Sequence, residues 1–328
     1  MSETLAEISI KLAQIILPVI MVLGITGNSL NIIILTRANL RNHACSKYFL
    51  ALASNNLIYT VFITYFLLAN GYNMDGQLVS NASCKILQFI TSACPFLSPY
   101  FIVLASIDRF CASSSNAKLR RFSNVVIAKW SILILVVCTL IFFINTLVLY
   151  ELRDDGYGCY LRSETIYNQV FNLVQIILYA AVPPILMIIF GLLTIYNTTQ
   201  LHVIPQVTMR HRRTEGQLAR MLFLQVAVYI ILNMPLCILY LMLILPTDFT
   251  PTLKFFYAFT IAPFLFHFSY ATTFFLYILS ARVYREELFR LISKVFHIRR
   301  AIQIQPISIT HQRRHTEAAR HQIPIIHE

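Results

Sequence analysis

The sequence predicts an all-α membrane protein, a seven-transmembrane-helix bundle with a short amphipathic eighth helix, and three observations carry that prediction. The first is composition: of 328 residues, 57% are hydrophobic and only 12% are charged, against roughly a quarter charged in soluble chains. Most of such a chain must face lipid. The second is the grouping of the apolar residues into seven blocks, about 12–36, 46–70, 85–108, 126–149, 168–196, 218–245 and 254–279. Each is near the roughly 20 residues that cross a bilayer as helix. The third is the placement of charge. With the N-terminus outside, 21 of the 26 Lys and Arg residues are cytoplasmic, and only Lys11, Lys85, Arg153, Arg162 and Lys254 are outside, while the acids divide nearly evenly. This positive-inside bias accounts for the net charge of +12 without nucleic acid.

Backbone amides in lipid need internal partners, which leaves helices or closed barrels. Continuous apolar runs without alternation choose helices; Val126 to Leu149 holds one Lys and one Trp among mainly Ile, Leu, Val and Phe. Residues 1–11, with Glu3 and Glu7 against Lys11, read as an extracellular N-terminus. The run after them is too long for a signal-peptide core, so it is an uncleaved first span. Residues 12–279 form the bundle and leave no room for a separate soluble domain. In 280–297, Tyr284, Leu288, Leu291, Ile292 and Val295 share one face, with Arg285, Glu286, Arg290 and Lys294 elsewhere, the pattern of a helix lying on a membrane surface. No cysteine follows Cys237, so no palmitoyl anchor is available there. Residues 298–328 read as a disordered cytoplasmic tail.

Seven cysteines divide by compartment. Cys94, Cys138 and Cys237 fall within spans, Cys45 and Cys111 lie at the cytoplasmic edge, and only Cys84 and Cys159 are outside. The exterior is oxidising, so these two are the natural disulfide pair, two free thiols being the alternative. Closing that long loop would stabilise by roughly 4 kcal/mol in the chain-entropy account. Asn81-Ala82-Ser83 is a glycosylation sequon on the same face. Asn197-Thr198-Thr199 also matches but is cytoplasmic, where it should stay unmodified.

Span three begins near Cys84 and reaches Asp108-Arg109-Phe110 after 25 residues, which is about 37 Å of helix. This arrangement resembles the rhodopsin-like (class A) G-protein-coupled receptors, where a cysteine opens the third helix and Asp-Arg-Tyr closes it. Phe110 departs from Tyr. Gly27-Asn28 looks like the family's Gly-Asn pair in span one, whose amide ties that helix to its neighbours. Leu52-Ala53-Ser54-Asn55-Asn56 resembles Leu-Ala-x-x-Asp, with Asn56 in place of the sodium-binding acid. Ser98 looks like the serine that shares that site, but without the carboxylate a monovalent cation should bind poorly. Trp130 stands where the fourth-span tryptophan stands, and Pro183 or Pro184 would supply the fifth-span bulge. In span six, Tyr229-Ile-Ile-Leu-Asn233-Met-Pro235 resembles Phe-x-x-Cys-Trp-x-Pro, keeping the kink proline but replacing the tryptophan by Asn233. In span seven, Thr273-Phe274-Phe275-Leu276-Tyr277 keeps only the tyrosine of Asn-Pro-x-x-Tyr. The resemblance covers about residues 15–297 and implies a divergent member, with Asn28, Asn56, Ser98, Trp130 and Pro235 in helix packing.

An arginine at the membrane edge is expensive unless it snorkels or pairs. The resemblance implies that Asp108, Arg109, Phe110, Glu215 and Tyr277 form the switch to a heterotrimeric G protein. Glu215 lies twenty residues before Pro235, where the family often has the acid that locks the arginine at rest; a solvated loop residue is the other reading. Phosphorylation of Ser308, Thr310 or Thr316 with arrestin binding, or a plain solvated tail, are the readings of the C-terminus.

No carboxylate lies in the outer half of any span, and Thr91 stands where amine receptors of this family have Asp, so biogenic amines are not expected. His267 lies where visual pigments carry their retinal lysine; the missing amine excludes covalent retinal, and no cofactor is called for. Gln88, Thr91, Tyr240, Phe259 and His267 would line the outer cavity by family analogy, though a hydrogen-bonded core histidine is an equal reading of His267. Glu151, Asp154 and Asp155 surround a Gly156/Gly158 turn before Cys159, a hairpin whose acids would steer a basic peptide. Gln217-Leu-Ala-Arg-Met221 is similar to invertebrate neuropeptide receptors. The implied function is a plasma-membrane receptor for an extracellular ligand, a neuropeptide, with a chemosensory receptor for a small molecule as the alternative. A transporter needs polar residues along its path, and the spans hold almost none. An intramembrane enzyme needs paired acids, a metal motif or a nucleophile with a base; Asp108 is the one acid within a span and no His-Glu-x-x-His occurs.

Overall fold

Helices are the form in which these apolar blocks satisfy their own amides, and the computed structural model describes residues 2–64, 80–152, 159–161, 166–200, 209–244 and 250–295. Span one is α1 (Ser2–Leu35). Span two is α2 (Ala44–Tyr59), running on as a π-helical turn at Thr60–Thr64. Span three is α3 (Asn81–Ser113), followed by the single turn α4 (Ala117–Arg120). Span four is α5 (Val125–Phe143) and the single turn α6 (Thr146–Leu149), leading into β1 (Tyr150–Leu152) and β2 (Cys159–Leu161). Span five is split into α7 (Ile166–Ala180) and α8 (Val182–Gln200). Spans six and seven are α9 (Met209–Ile244) and α10 (Leu253–Ser280), and α11 (Arg282–Val295) follows.

The chain divides into two compact units, residues 1–288 and 289–328. The whole bundle belongs to the first. Of the second, residues 289–295 are described and finish α11, where Ser293 Oγ donates to the Phe289 carbonyl at 2.8 Å. The tail predicted at 298–328 lies outside the described residues. Among the described residues six helical stretches are long and apolar enough to cross a membrane. Span two is described only to Thr64, so residues 65–70 of the predicted block lie beyond.

Helix starts follow the capping residues. Ser80, Asn116, Asn124 and Thr252 each accept a first-turn N–H with the side chain, satisfying a donor that has no partner within the helix. One boundary differs from the prediction. The N-terminus is helical from Ser2 rather than from about residue 12, because polarity does not forbid helix: Lys11 pairs with Glu7 one turn earlier at 2.6 Å, and such i,i+4 pairs support a helix. Span five breaks at Ala181, two residues before Pro183-Pro184, since neither proline can donate a backbone hydrogen bond. This is where the bulge is expected.

Span one packs closely against span seven and the π-turn. A Cβ on Gly27 would stand 3.0 Å from Phe274 Cβ, and one on Gly24 would stand 2.7 Å from Thr60 Cγ2. Small residues let membrane helices approach this closely. At the outer end, β1 and β2 form the expected hairpin, pairing Tyr150 with Leu161 and Leu152 with Cys159. It is tied to α3 by the Leu152 N–H, which donates to Asn81 Oδ1 at 3.1 Å.

Candidate functional site

The middle of the bundle is held by uncharged polar side chains. Asn55 Nδ2 donates to the Cys94 carbonyl at 2.7 Å and to Ser98 Oγ at 2.8 Å. Ser98 in turn donates to Asn56 Oδ1 at 2.9 Å, and Asn56 Nδ2 reaches Thr273 Oγ1 at 3.3 Å. Spans two, three and seven are thereby joined. Asn28 adds span one, its Nδ2 donating to the Tyr270 carbonyl at 2.9 Å. Beside this network a cavity of about 10 Å³ is lined by Asn56, Ser98, Gln225, Tyr229, Ser269 and Thr272 among others. That is room for one water, which needs polar partners, and the buried Gln225 Oε1 has no protein partner among the described residues.

At the inner end of α3, Arg109 is 4% exposed and Asp108 5%. The guanidinium donates to Asp108 Oδ2 at 2.6 Å from Nη2 and 3.1 Å from Nε. The other carboxylate oxygen accepts from Ser123 Oγ at 2.8 Å. Charge-assisted hydrogen bonds of this kind are about twice as strong as neutral ones. His43, in the turn before α2, is held below the ordinary histidine range by its burial and then by the positive charge of Arg109. Phe110 packs on Phe190 with ring centroids 5.8 Å apart. Tyr277 is fully buried against Phe49 and Tyr284 at 5.0 and 5.7 Å, and its hydroxyl has no hydrogen-bond partner among the described residues. Glu215 belongs to the first turns of α9, but its side chain lies outside the described residues.

A neighbouring contact ties span six instead. Gln217 Oε1, about two turns into α9, accepts the backbone N–H of Val283 at 2.8 Å, at the start of α11. That start is also anchored by Tyr284, whose hydroxyl donates to Asn31, and by the buried Glu287, which accepts from Asn39 Nδ2 at 2.5 Å.

The outer end is open where the inner end is packed. A cavity of about 480 Å³ is bounded by spans three, five, six and seven, and its lining includes Gln88, Thr91, Tyr240 and His267. Phe259 is not in the lining but packs edge-on against Tyr240 at 5.3 Å. No charged side chain is among the lining residues described. His267 is both a lining residue and a bonded one: its Nδ1 lies 2.8 Å from the Tyr59 hydroxyl, and Tyr59 stacks on Tyr270 at 4.0 Å. Above the cavity, Cys84 is buried and disulfide-bonded, while Cys45, Cys94, Cys111, Cys138 and Cys237 are free. The side chain of Cys159 lies outside the described residues, as do Asp154 and Asp155.

A buried ion pair closes one end of α3, and a cavity lies at its other end. The sequence model of the 7 transmembrane receptor (rhodopsin family) matches residues 27–279, which is most of the chain and nearly all of the bundle. This chain belongs to the rhodopsin family. Comparison with curated proteins finds no match.

Within this receptor two assignments depart from the expectation, Phe259, which is outside the lining, and Trp130, and four residues are additions, Asn233, Tyr179, Ser269 and Gln217. Trp130 is 61% exposed and faces outward with Val126, Leu133 and Ile134, so it is not a helix-packing residue within the bundle; an indole on a sparsely packed span is more readily left facing lipid. Asn233, at the family's tryptophan position, is 1% exposed. It bonds back to the Tyr229 carbonyl at 2.8 Å and accepts from Tyr179 at 3.2 Å and Ser269 at 3.4 Å. It thus joins span six to spans five and seven just before Pro235. The substitution was visible in the sequence, but Tyr179 and Ser269 carry no pattern of their own. Gln217 stands in the sequence only within the resemblance of residues 217–221.

Proposed function

We propose that this receptor couples an extracellular ligand, a neuropeptide, to heterotrimeric G proteins across the plasma membrane, with the N-terminus outside. The observation that carries this reading is α3 itself. Gln88, Thr91, Ser92, Pro95 and Phe96 of its outer half line the large cavity, and Asp108 and Arg109 close its inner end. A volume of about 480 Å³ falls within the roughly 300–1,000 Å³ of ligand pockets and admits the end of a peptide. The hairpin beside it carries Glu151 and, in sequence, Asp154 and Asp155, which supports attraction of a basic peptide.

In this reading the agonist binds the open state more tightly and so shifts a pre-existing equilibrium. The inner end of α9 moves out, the Gln217 contact and any lock from Glu215 are released, and Arg109 leaves Asp108 for the G protein's terminal helix. Tyr277, buried with a hydroxyl that has no partner among the described residues, is available to take a new one. Cys84 pairs with Cys159 and holds the hairpin over the cavity, Asn81 is the candidate glycan acceptor, α11 lies on membrane lipid, and the tail engages arrestin when phosphorylated. A small-molecule chemosensory ligand is the second reading, favoured by the uncharged lining. Screening a neuropeptide library against cells carrying a promiscuous G-protein reporter tests the choice. The expected result is a saturable response to a basic peptide. Silence across peptides, with surface expression confirmed, overturns the peptide and favours the small molecule.

A further inference from the structure

The turn between α4 and α5 combines two features that the activation switch alone does not require. Its sequence is Arg120-Arg121-Phe122-Ser123, with guanidinium groups three and two residues before a hydroxyl. Protein kinases select substrates by such charge patterns. Arg121 is exposed, Phe122 is 59% exposed, and Arg120, itself exposed, reaches the Ser114 and Ser115 carbonyls at 3.1 and 3.2 Å. The segment from Arg121 to Asn124 is outside any helix. Ser123 is half-buried, and its hydroxyl is the donor that holds this turn to Asp108 at 2.8 Å.

We propose that Ser123 is a phosphorylation site for a kinase that reads upstream arginines, and that the phosphate detaches the α4–α5 turn from the Asp108–Arg109 pair. Ser123 Oγ attacks the γ-phosphorus of ATP, the bond to the β-phosphate oxygen breaks, ADP leaves, and the hydroxyl proton passes to the kinase's base. The product has lost the proton that bonded Asp108. In its place stands a group of about −2 charge, which cannot remain within hydrogen-bond distance of a carboxylate. Asp108 keeps Arg109 as its partner, so the turn is the part that moves. The inference rests on the proposed topology, which puts this turn in the cytosol with ATP.

The test uses the full-length receptor in a lipid nanodisc, where both faces are accessible, with a purified kinase of basic specificity and ATP. Thr316, preceded by Arg313 and Arg314, presents a similar sequence, so the receptor carries Thr316→Ala. The expected result is phosphate on Ser123 by peptide mass spectrometry, lost in Ser123→Ala and reduced in Arg120→Ala. Hydrogen exchange of amides 114–124 should rise about tenfold on phosphorylation, the scale of losing a hydrogen bond to a charged group. It should rise less in Ser123→Ala, which adds no charge, and phosphorylation should change it little in Asp108→Asn, where the repulsion is absent. Phosphate accepted by a synthetic peptide of residues 117–127 but refused by the folded receptor overturns the site. Phosphorylation with unchanged exchange overturns the detachment. Phosphate on Ser123 in nanodiscs but never in cells expressing the same kinase overturns the inward topology instead, which keeps the two failures apart.

Discussion

The outer and middle layers of this bundle are both uncharged among the described residues, but aromatic rings dominate the first and short polar side chains the second. Around the outer cavity of about 480 Å³, tyrosines, phenylalanines and His267 pack in pairs and leave a space between spans. In the middle, asparagines, serines and threonines bond to one another and leave room for about one water. Buried polar groups are costly when unpaired and rigidifying when paired, so the middle layer joins the spans while the outer layer remains available to a ligand. That bonded layer lies along α3 between the cavity and the Asp108–Arg109 pair, and it carries no formal charge among its described members.

The largest expected effect comes from wedging the seam beside that layer. Gly27→Leu should lower stability by about 3 kcal/mol through overpacking against Phe274, read as a fall in thermal midpoint of the purified receptor, with Gly27→Ala falling less. An unchanged midpoint would mean that spans one and seven are not in close contact there. Next, Asn56→Asp should create a sodium dependence that the natural chain lacks. The variant's thermal midpoint should rise in sodium chloride relative to choline chloride by the equivalent of about 1 kcal/mol, while the parent shows no difference. Equal sodium sensitivity in both would break the view of an uncharged middle layer.

Loss of the inner contact should be milder. Gln217→Ala removes one neutral hydrogen bond of about 1 kcal/mol, so basal nucleotide exchange on a co-reconstituted G protein should rise roughly fivefold. Glu215→Ala should also raise it if Glu215 is the lock; unchanged basal exchange in a surface-expressed variant counts against that role. The smallest effect is expected at Tyr59, which bonds the lining residue His267. Tyr59→Phe keeps the stack on Tyr270 but loses the bond to His267, costing at most about 1 kcal/mol in thermal stability. A larger loss would show that the outer layer is as tightly joined as the middle.

Much of the site was legible in the chain because it depends on spacing along one helix. Cys84, Thr91, Ser98 and Arg109 lie along α3 as their separations require, and the family match over residues 27–279 agrees. The contacts of Asn233 with Tyr179 and Ser269, of Gln217 with Val283 and of Ser123 with Asp108 were not legible. Each joins separate elements, 15 to 66 residues apart, through side chains with no periodic pattern. Trp130 shows the converse, a residue matched by position whose burial the position does not specify.

What the sequence by itself determined is the class of fold and its expected orientation, because hydrophobic length and the distribution of Lys and Arg act locally in a bilayer. The tertiary structure alone decided which polar groups meet. A buried donor must find an acceptor wherever neighbouring helices present one, and that choice belongs to packing rather than to any segment.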